Sequence, residues 1–431
     1  MLSQLLIKLH CISITVDIFM KKIIPGLVLL SAFSMITIAR ADSINNVYDE
    51  ASLIKAVSAA NSEPGITTIS FKYNAAIQLT APVIYSGTQS LKLIGNKAVI
   101  DGASAGSFIL DKNLTAVTAD GTLVFNSAAD IDISNLTVIN SATRGIVINV
   151  PADATGDIIS VSLYRVDIID SALYGLHIDD NVDEFDDGNA GSKIGIDLKV
   201  THSSFTGNGT GAIDFDGVRV DEPAEGSNNV IILSSRIDGN GGDGIELDEA
   251  GNGDVYTNMV KVSMDGNGFY NEDDLDDGID IDEAGPGSIE FSLVNVSVND
   301  NKDEGIDLDE TGEGSIEVHM CRVTVLNNAD EGIKLDEEDD GDIKAKLHSV
   351  SVTGNGDDGI QFTELGEGKI DGKLIKANAS DNAKYGIKME QWLIEDEVAP
   401  AEDAGTVKIR NTLLNGNGKG NKIKTNNINL N

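Results

Sequence analysis

A repeat of 27 residues constrains the fold of this chain more than any other feature. Its clearest mark is a glycine that precedes an apolar residue, at Gly278, Gly305, Gly332, Gly359 and Gly386. Earlier copies, with longer spacings, begin at Gly145, Gly175, Ala212 and Gly244. A unit this short cannot bury its own apolar face, so successive units must stack on one another to form a core.

Within each unit, apolar residues alternate with polar ones at the period of a β-strand. Ile289, Phe291 and Leu293 share this period, and after a skip of three residues Val296 and Val298 continue it. The alternation predicts strands with one buried face, and the skip predicts a bend between two of them. Each unit is therefore predicted to be a coil of about three short strands. Stacked coils place equivalent residues roughly 4.8 Å apart in parallel ladders.

A row of asparagines supports the stacking. Six of them lie four residues before the repeat glycine or alanine: Asn208, Asn240, Asn301, Asn328, Asn355 and Asn382. An asparagine amide can bond the backbone of a tight turn and the next coil. The row resembles the asparagine ladder of the pectate-lyase-like superfamily, over about residues 66–425. The resemblance implies an all-β, right-handed parallel β-helix, in a superfamily that includes lyases, hydrolases, epimerases and non-enzymes.

The N-terminal 41 residues are typical of an export signal. A positive start at Met20-Lys21-Lys22 precedes an apolar stretch and the small-x-small site Ala39-Arg40-Ala41, so Met20 is a candidate for the true start. We expect a secreted, periplasmic or cell-surface protein with no transmembrane anchor after signal removal. Residues 42–65 are predicted to form an N-terminal cap, 66–425 the β-helix and 426–431 a tail.

The predicted cap contains a helix. Residues 49–61 place Leu53, Ile54, Val57 and Ala60 on one helical face, and Pro64-Gly65 ends the helix. Such a helix would cover the open end of the coil stack, which is otherwise an exposed sheet edge.

Acidic residues repeat in register in the strand that follows each repeat glycine. The fourth position carries Asp179, Asp216, Asp248, Asp282, Asp309 and Asp336, then Thr363 and Glu390. The second position carries His177, Asp214, Glu246, Asp280 and Asp307, then Lys334, Gln361 and Lys388. The fifth position adds Asp180, Glu249, Glu283, Glu310, Glu337 and Glu364. Because inward and outward positions alternate, the second and fourth rows are expected to face solvent.

These rows predict a Ca²⁺-binding face. Like charges one ladder step apart repel by roughly 1 kcal/mol even in water, and hard cations with oxygen ligands remove that repulsion. The predicted metal ligands are Asp214, Asp216, Glu246, Asp248, Asp280, Asp282, Asp307, Asp309 and Asp336. The alternative is a merely solvated acidic face. The chain carries 70 acidic and 31 basic residues, which also argues against a nucleic-acid partner.

Segments that interrupt the repeat are predicted to wall a groove along the acidic face, between about residues 177 and 283. Residues 181–194, 217–228 and 391–404 would follow the acidic strand, and 268–275 would precede it. Four aromatic residues in these segments are candidates for stacking on sugar rings: Phe185, Phe269, Tyr270 and Trp392. The alternative is that they form small loop cores.

Catalytic candidates are few. Arg219 beside acids could serve as the base of a Ca²⁺-dependent polysaccharide lyase, and His177 with Asp179 and Asp180 forms the other constellation. The alternatives are a surface arginine that neutralises acids and an ion-paired histidine. The sequence therefore favours a non-catalytic Ca²⁺-binding surface protein with an extracellular polysaccharide as a possible partner. A lyase acting on a uronate-containing glycan is the runner-up.

Overall fold

The structure is a computed structural model and describes residues 42–111, 120–179, 191–271, 275–393 and 403–431. The export-signal prediction for residues 1–41 lies outside the described residues. So do Asp180 and Phe185, and most of the two segments 181–194 and 391–404. The described part contains no helix whose length and hydropathy would let it span a bilayer.

The described chain consists of one helix and a long series of short strands. The helix α1 spans Glu50–Ser62. The strands are β1 Asp42–Val47, β2 Ile66–Phe71, β3 Ala76–Gln78, β4 Val83–Tyr85, β5 Leu91–Asp101, β6 Gly121–Asn126, β7 Ile131–Ile139, β8 Arg144–Asn149, β9 Ile158–Ile169, β10 Leu176–Asp179, β11 Gly195–Thr201, β12 Ser204–Thr206, β13 Val218–Glu222, β14 Asn228–Leu233, β15 Arg236–Asp238, β16 Ile245–Glu249, β17 Val255–Val260, β18 Ser263–Asp265, β19 Ile279–Gly285, β20 Ile289–Val294, β21 Ser297–Asn299, β22 Ile306–Gly312, β23 Ile316–Cys321, β24 Thr324–Leu326, β25 Ile333–Asp339, β26 Ile343–His348, β27 Ser351–Thr353, β28 Ile360–Gly366, β29 Ile370–Ile375, β30 Asn378–Ser380, β31 Ile387–Trp392, β32 Thr406–Arg410, β33 Lys424–Asn426 and β34 Asn429–Leu430.

The strands stack in parallel, one coil upon the next, as a right-handed parallel β-helix. In one sheet each coil contributes a single strand, in the order β4-β6-β8-β10-β13-β16-β19-β22-β25-β28-β31-β33. In the other sheet each coil from β11 to β30 contributes a longer strand and a short one, such as β20 and β21. The predicted fold class, and the resemblance that carried it, are confirmed at the level of the fold. The pairing continues to β34, which lies in the segment predicted to be a tail.

The core lies between the two sheets and follows the predicted alternation. Ile279 and Ile281 of β19 face Phe291 and Leu293 of β20, and all four are at most 1% exposed. The same positions are buried in coil after coil, since a parallel register repeats each side chain directly above its equivalent.

The asparagine ladder is longer than predicted. It also includes Asn267, which inserted residues separate from the repeat glycine Gly278, and Asn417, after which Lys422 holds the place of the repeat glycine. The side-chain oxygen of Asn301 accepts the backbone N–H of Asn267 at 2.9 Å, and its amide donates to the carbonyl of Met264 at 3.2 Å. Each turn is thereby tied to the turn of the next coil.

The helix α1 begins at a capping box in which Asp49 accepts the N–H of Ser52 and Ser52 accepts the N–H of Asp49. Leu53, Ala56, Val57 and Ala60 are its buried residues. The prediction that Ile54 belongs to the buried face is wrong: Ile54 is 46% exposed, and Ala56 takes its place at the helical spacing.

Candidate metal-binding face

From Glu246 onward, the acidic positions lie in the predicted register. Glu246 of β16 pairs with Asp280 of β19, which pairs with Asp307 of β22. Asp248, Asp282, Asp309 and Asp336 are aligned in the same way in the fourth row. The second and fourth positions of these strands therefore form two adjacent rows on one sheet, called here the outer rows.

The register of the preceding coil differs from the prediction. Val218 pairs with Leu176 and Ile245, so Arg219 holds the second position and Asp221 the fourth, in place of Asp214 and Asp216. In the sequence, Ala212 occupies the position expected of a repeat glycine. In the structure Gly217 occupies it: its N–H donates to the carbonyl of Asp243, as the N–H of Gly244 donates to the carbonyl of Asp277 in the next coil. Residues 217–228 therefore contain the acidic strand β13 and do not form a loop after it.

Asp216 instead belongs to a third acidic row, called here the turn row, which occupies the position just before each repeat glycine from Gly217 to Gly359. Its members are Asp216, Asp243, Asp277, Glu304, Glu331 and Asp358. The Oδ1 atom of Asp216 accepts the N–H of Asp243 at 2.8 Å, and Asp243 accepts that of Asp277. In the sequence this row is an acid before each of these six glycines, whereas the predicted face comprised only strand positions after the repeat residue.

The turn row and the outer rows converge on the same space. Asp277, Asp280 and Asp307 each offer a carboxylate oxygen, and these oxygens all lie within 4.8 Å of one another. Two ligands on opposite sides of a Ca²⁺ ion are about 4.6–5.2 Å apart, so the spacing suits that ion. Further groups of three that meet the same criterion are Asp214, Asp216 and Glu246; Asp243, Glu246 and Asp280; Asp277, Asp303 and Glu304; and Asp330, Glu331 and Asp357.

Two oxygens of the central group lack any hydrogen-bond donor. Oδ1 of Asp277 and Oδ1 of Asp307 are both buried without a partner, in residues that are 7% and 8% exposed. A buried carboxylate oxygen without a donor is costly, and a bound cation is one way to satisfy it. The donor set consists of carboxylate oxygens, which Ca²⁺ prefers.

The electrostatics of the central group favour uptake of a cation or a proton. Burial raises the pKa of Asp277 well above its usual range, and the neighbouring carboxylates of Asp280, Glu304 and Asp307 raise it further. Burial and the carboxylates of Asp282, Asp248 and Asp309 have the same effect on the pKa of Asp280. These groups cannot all be ionised at neutral pH unless positive charge enters the cluster.

Arg219 and Lys334 lie at the two ends of the acidic part of the second row. Arg219 lies 2.6 Å from Asp221 and 2.5 Å from Asp248 and also contacts Glu246. Lys334, three coils beyond Glu246, lies 2.6 Å from Asp307 and 3.5 Å from Asp309. Within the described residues, no basic group lies within 4.0 Å of Asp243, Asp277, Asp280 or Asp282. The uncompensated charge is therefore concentrated between the two cations.

Arg219 is held as a cation in this position. The carboxylates of Asp221, Glu246 and Asp248 outweigh the effect of burial and keep the pKa of Arg219 well above its usual value. A base must give up its proton before it can accept one. The geometry thus favours the alternative in which Arg219 neutralises acids.

His177 is buried and hydrogen-bonded, although the register predicted that it would face solvent. Its Nδ1 lies 3.0 Å from Nη1 of Arg144, and its Nε2 lies 2.8 Å from Oδ2 of Asp221. Burial lowers the pKa of His177 to about 4, despite the opposing effect of Asp221. Asp179, on the same strand, is also buried, at 2% exposure.

The fifth position faces inward and forms a separate feature, called here the inner glutamate row. Its described acidic members are Glu222, Glu249, Glu283, Glu310, Glu337 and Glu364, each at most 1% exposed. From Glu249 onward, one carboxyl oxygen accepts the N–H of the glycine four residues later, as in Glu337 with Gly341 at 2.7 Å. The other oxygen is buried without a hydrogen-bond donor. Burial and the carboxyls of neighbouring coils raise the pKa of Glu283 to about 10 and that of Glu337 to about 9, so neighbouring glutamates can share protons at neutral pH. The fifth row thus does not add to the outer acidic face.

Of the aromatic candidates that the structure describes, Phe269 and Tyr270 are neighbours and Trp392 lies apart from them. Phe269 and Tyr270 lie in the turn before β19, where Phe269 is 46% exposed and the hydroxyl of Tyr270 donates to the carbonyl of Gly211 at 3.2 Å. Trp392 lies at the end of β31, four coils further along. Tyr270 thus ties two turns together, which is the role of a loop core.

No protein-family model matches the chain, and no curated protein sequence matches it either. Solved structures do match. A mutant of the periplasmic alginate epimerase AlgG has a TM-score of 0.42 and 10% identity, over 91% of this chain and 84% of that one. The catalytic domain of a GH87 α-1,3-glucanase has a TM-score of 0.39 and 10% identity, over 93% and 70%. PfbA, a surface adhesin of Streptococcus pneumoniae, has a TM-score of 0.32 and 12% identity, over 88% and 90%. Likenesses this low transfer no activity, substrate or partner to this chain.

Proposed function

We propose that the protein is an exported Ca²⁺-binding β-helix whose ions lie between the turn row and the outer rows, centred on Asp277, Asp280 and Asp307. The observation that carries the proposal is the pair of buried, partnerless oxygens on Asp277 and Asp307, in a group whose spacing suits Ca²⁺. The predicted ligands Asp214, Asp216 and Glu246 form a second such group, although Asp214 and Asp216 lie outside the predicted register.

The fourth row gives the proposed ions a route to external ligands. Asp309 is 41% exposed in its side chain, whereas Asp307 beside it is 11% exposed. An ion held by the deeper rows can therefore keep coordination positions open toward solvent, because Ca²⁺ accepts six to eight oxygens. Carboxylates of a uronate-containing polysaccharide have the chemistry to fill them. We therefore propose a surface or matrix role in which the ions bridge protein and glycan.

Calorimetric titration with Ca²⁺ at neutral pH tests the proposal. Wild-type protein is expected to bind Ca²⁺ and to release protons, because the pKa values of the ligands are raised in the cation-free state. Titrations in two buffers with different ionisation enthalpies measure the proton release.

Asp280→Asn removes a ligand that two of the groups share, and Asp153→Asn is the matched control on an exposed carboxylate remote from them. Asp280→Asn should weaken binding by at least about tenfold, since even outer-shell partners of a metal contribute 10–100-fold. Equal affinity in wild type and Asp280→Asn, or no binding heat in wild type, would show that the face is merely solvated.

A further inference from the structure

A column of lysines lies on the other sheet, away from the acidic rows. Lys346 of β26, Lys373 of β29 and Lys408 of β32 are directly paired in register, and all three side chains are exposed. Like charges directly opposite one another on adjacent strands destabilise a sheet. The column therefore carries a cost that a purely structural role does not explain.

The column borders an open cavity of about 500 Å³. Lys344 adds a fourth ammonium group to its lining, and the small residues Ala345 and Gly372 leave room between the lysines. Asp371 is the one acidic side chain in the lining, and its Oδ1 already accepts the N–H of Thr406 at 2.8 Å. The side chains of the lining thus carry an excess of positive charge, on a chain whose net charge is −39.

Two of the four lysines that line the cavity, Lys344 and Lys346, have carboxylate partners. Lys344 lies 2.9 Å from Asp342, and Lys346 lies 3.3 Å from Glu317. Among the described residues, no carboxylate lies within 4.0 Å of the ammonium groups of Lys373 and Lys408. Two adjacent cations without counter-ions are unexpected where acids outnumber bases by more than two to one.

We propose that this cavity binds a linear acidic oligosaccharide, whose carboxylate or sulfate groups contact successive lysines of the column. An extended acidic glycan carries a charge on each sugar ring, so it can follow lysines that recur once per coil, about every 4.8 Å. A nucleic acid fits less well, because its dense phosphates would meet the acidic remainder of the surface. This site needs no metal ion, so it is independent of the Ca²⁺-dependent contacts proposed for the acidic face.

Binding of a fluorescently labelled galacturonic acid oligomer, measured by thermophoresis in the presence of a chelator, tests the inference. Wild-type protein should bind the oligomer, more weakly as salt is added, and should not bind a neutral glucose oligomer of equal length. The Lys373→Gln/Lys408→Gln double variant should lose roughly tenfold in affinity.

The control is Lys419→Gln/Lys422→Gln, which removes the same charge from exposed lysines outside the cavity. The inference is overturned if both double variants lose affinity equally, or if wild-type protein does not bind the oligomer in chelator. Competition by inorganic sulfate as strong as that by the oligomer would also overturn it, because the cavity would then be a small-anion site. Loss of Ca²⁺ binding on the acidic face would leave this result unchanged.

Discussion

The inner glutamate row should make the fold weaken as pH rises, and Glu337→Gln should relieve part of that weakening. Burial, together with the carboxyls of Glu310 and Glu364, raises the pKa of Glu337 from 4.5 to about 9. Between these two values the native state holds a proton that the unfolded chain has lost. The native state therefore binds more protons, and stability falls by about 1.4 kcal/mol per pH unit for such a group.

Glutamine preserves the contacts of Glu337 without the titration. Its amide oxygen can accept the N–H of Gly341, and its amide nitrogen can donate to the neighbouring carboxyl. Gln391 already occupies this row, where it donates to the carbonyl of Gly366 at 2.7 Å. From pH 6 to pH 8 the variant should gain up to about 3 kcal/mol relative to wild type, two pH units at the slope of a single group.

Urea denaturation at both pH values, in chelator, measures this gain. The control is Glu338→Gln, the same change at the adjacent exposed residue, which should differ from wild type by less than about 0.5 kcal/mol at either pH. A stability difference between Glu337→Gln and wild type that stays constant from pH 6 to pH 8 would refute the shared-proton account of the row.

Four further outcomes follow from the site. His177, with its pKa lowered to about 4, should stay neutral between pH 5 and 8 in an NMR titration of its ring, and its contribution to stability should be lost as pH falls from 6.5 toward 4. Arg219→Gln leaves buried carboxylates without their cation and should cost about 3–5 kcal/mol of stability in chelator, measured by urea denaturation, with partial rescue by Ca²⁺. Asn301→Ala leaves the buried N–H of Asn267 without an acceptor and should lower the free energy of unfolding by about 1–3 kcal/mol in the same assay. Polyuronates incubated with the protein and Ca²⁺ should yield no unsaturated products by ultraviolet absorbance, because Arg219 is held as a cation.

The fold was predictable because its two determinants, a fixed period and strand alternation, are both visible in the sequence. From Gly278 to Gly386 the spacing of 27 residues leaves no freedom in the register, and the pairs Asp280 with Asp307 and Asp282 with Asp309 follow from it. Where the spacing varies, the pattern fails. Ala212 and Gly217 both precede an alternating acidic segment, and only the hydrogen bonds to the coils on either side decide between them.

The roles of the acidic residues were less visible than their positions. The same alternation that turns the second and fourth residues of each acidic strand outward turns the fifth residue inward, but a buried row of glutamates requires donors and shared protons that no sequence displays. Glycine N–H groups four residues later supply those donors. Asp277 lies in a turn, whereas Asp280 and Asp307 lie on strands of two successive coils. Their carboxylates come together only through the packing of these coils, which the sequence does not display.

Anomalous diffraction from crystals grown with Ca²⁺ tests the central claim most directly. The account predicts anomalous density between the carboxylates of Asp277, Asp280 and Asp307, with metal–oxygen distances of about 2.3–2.6 Å, and its loss in Asp280→Asn crystals. Well-ordered carboxylates with only water between them, at a Ca²⁺ concentration that saturates any binding seen in solution, would contradict it.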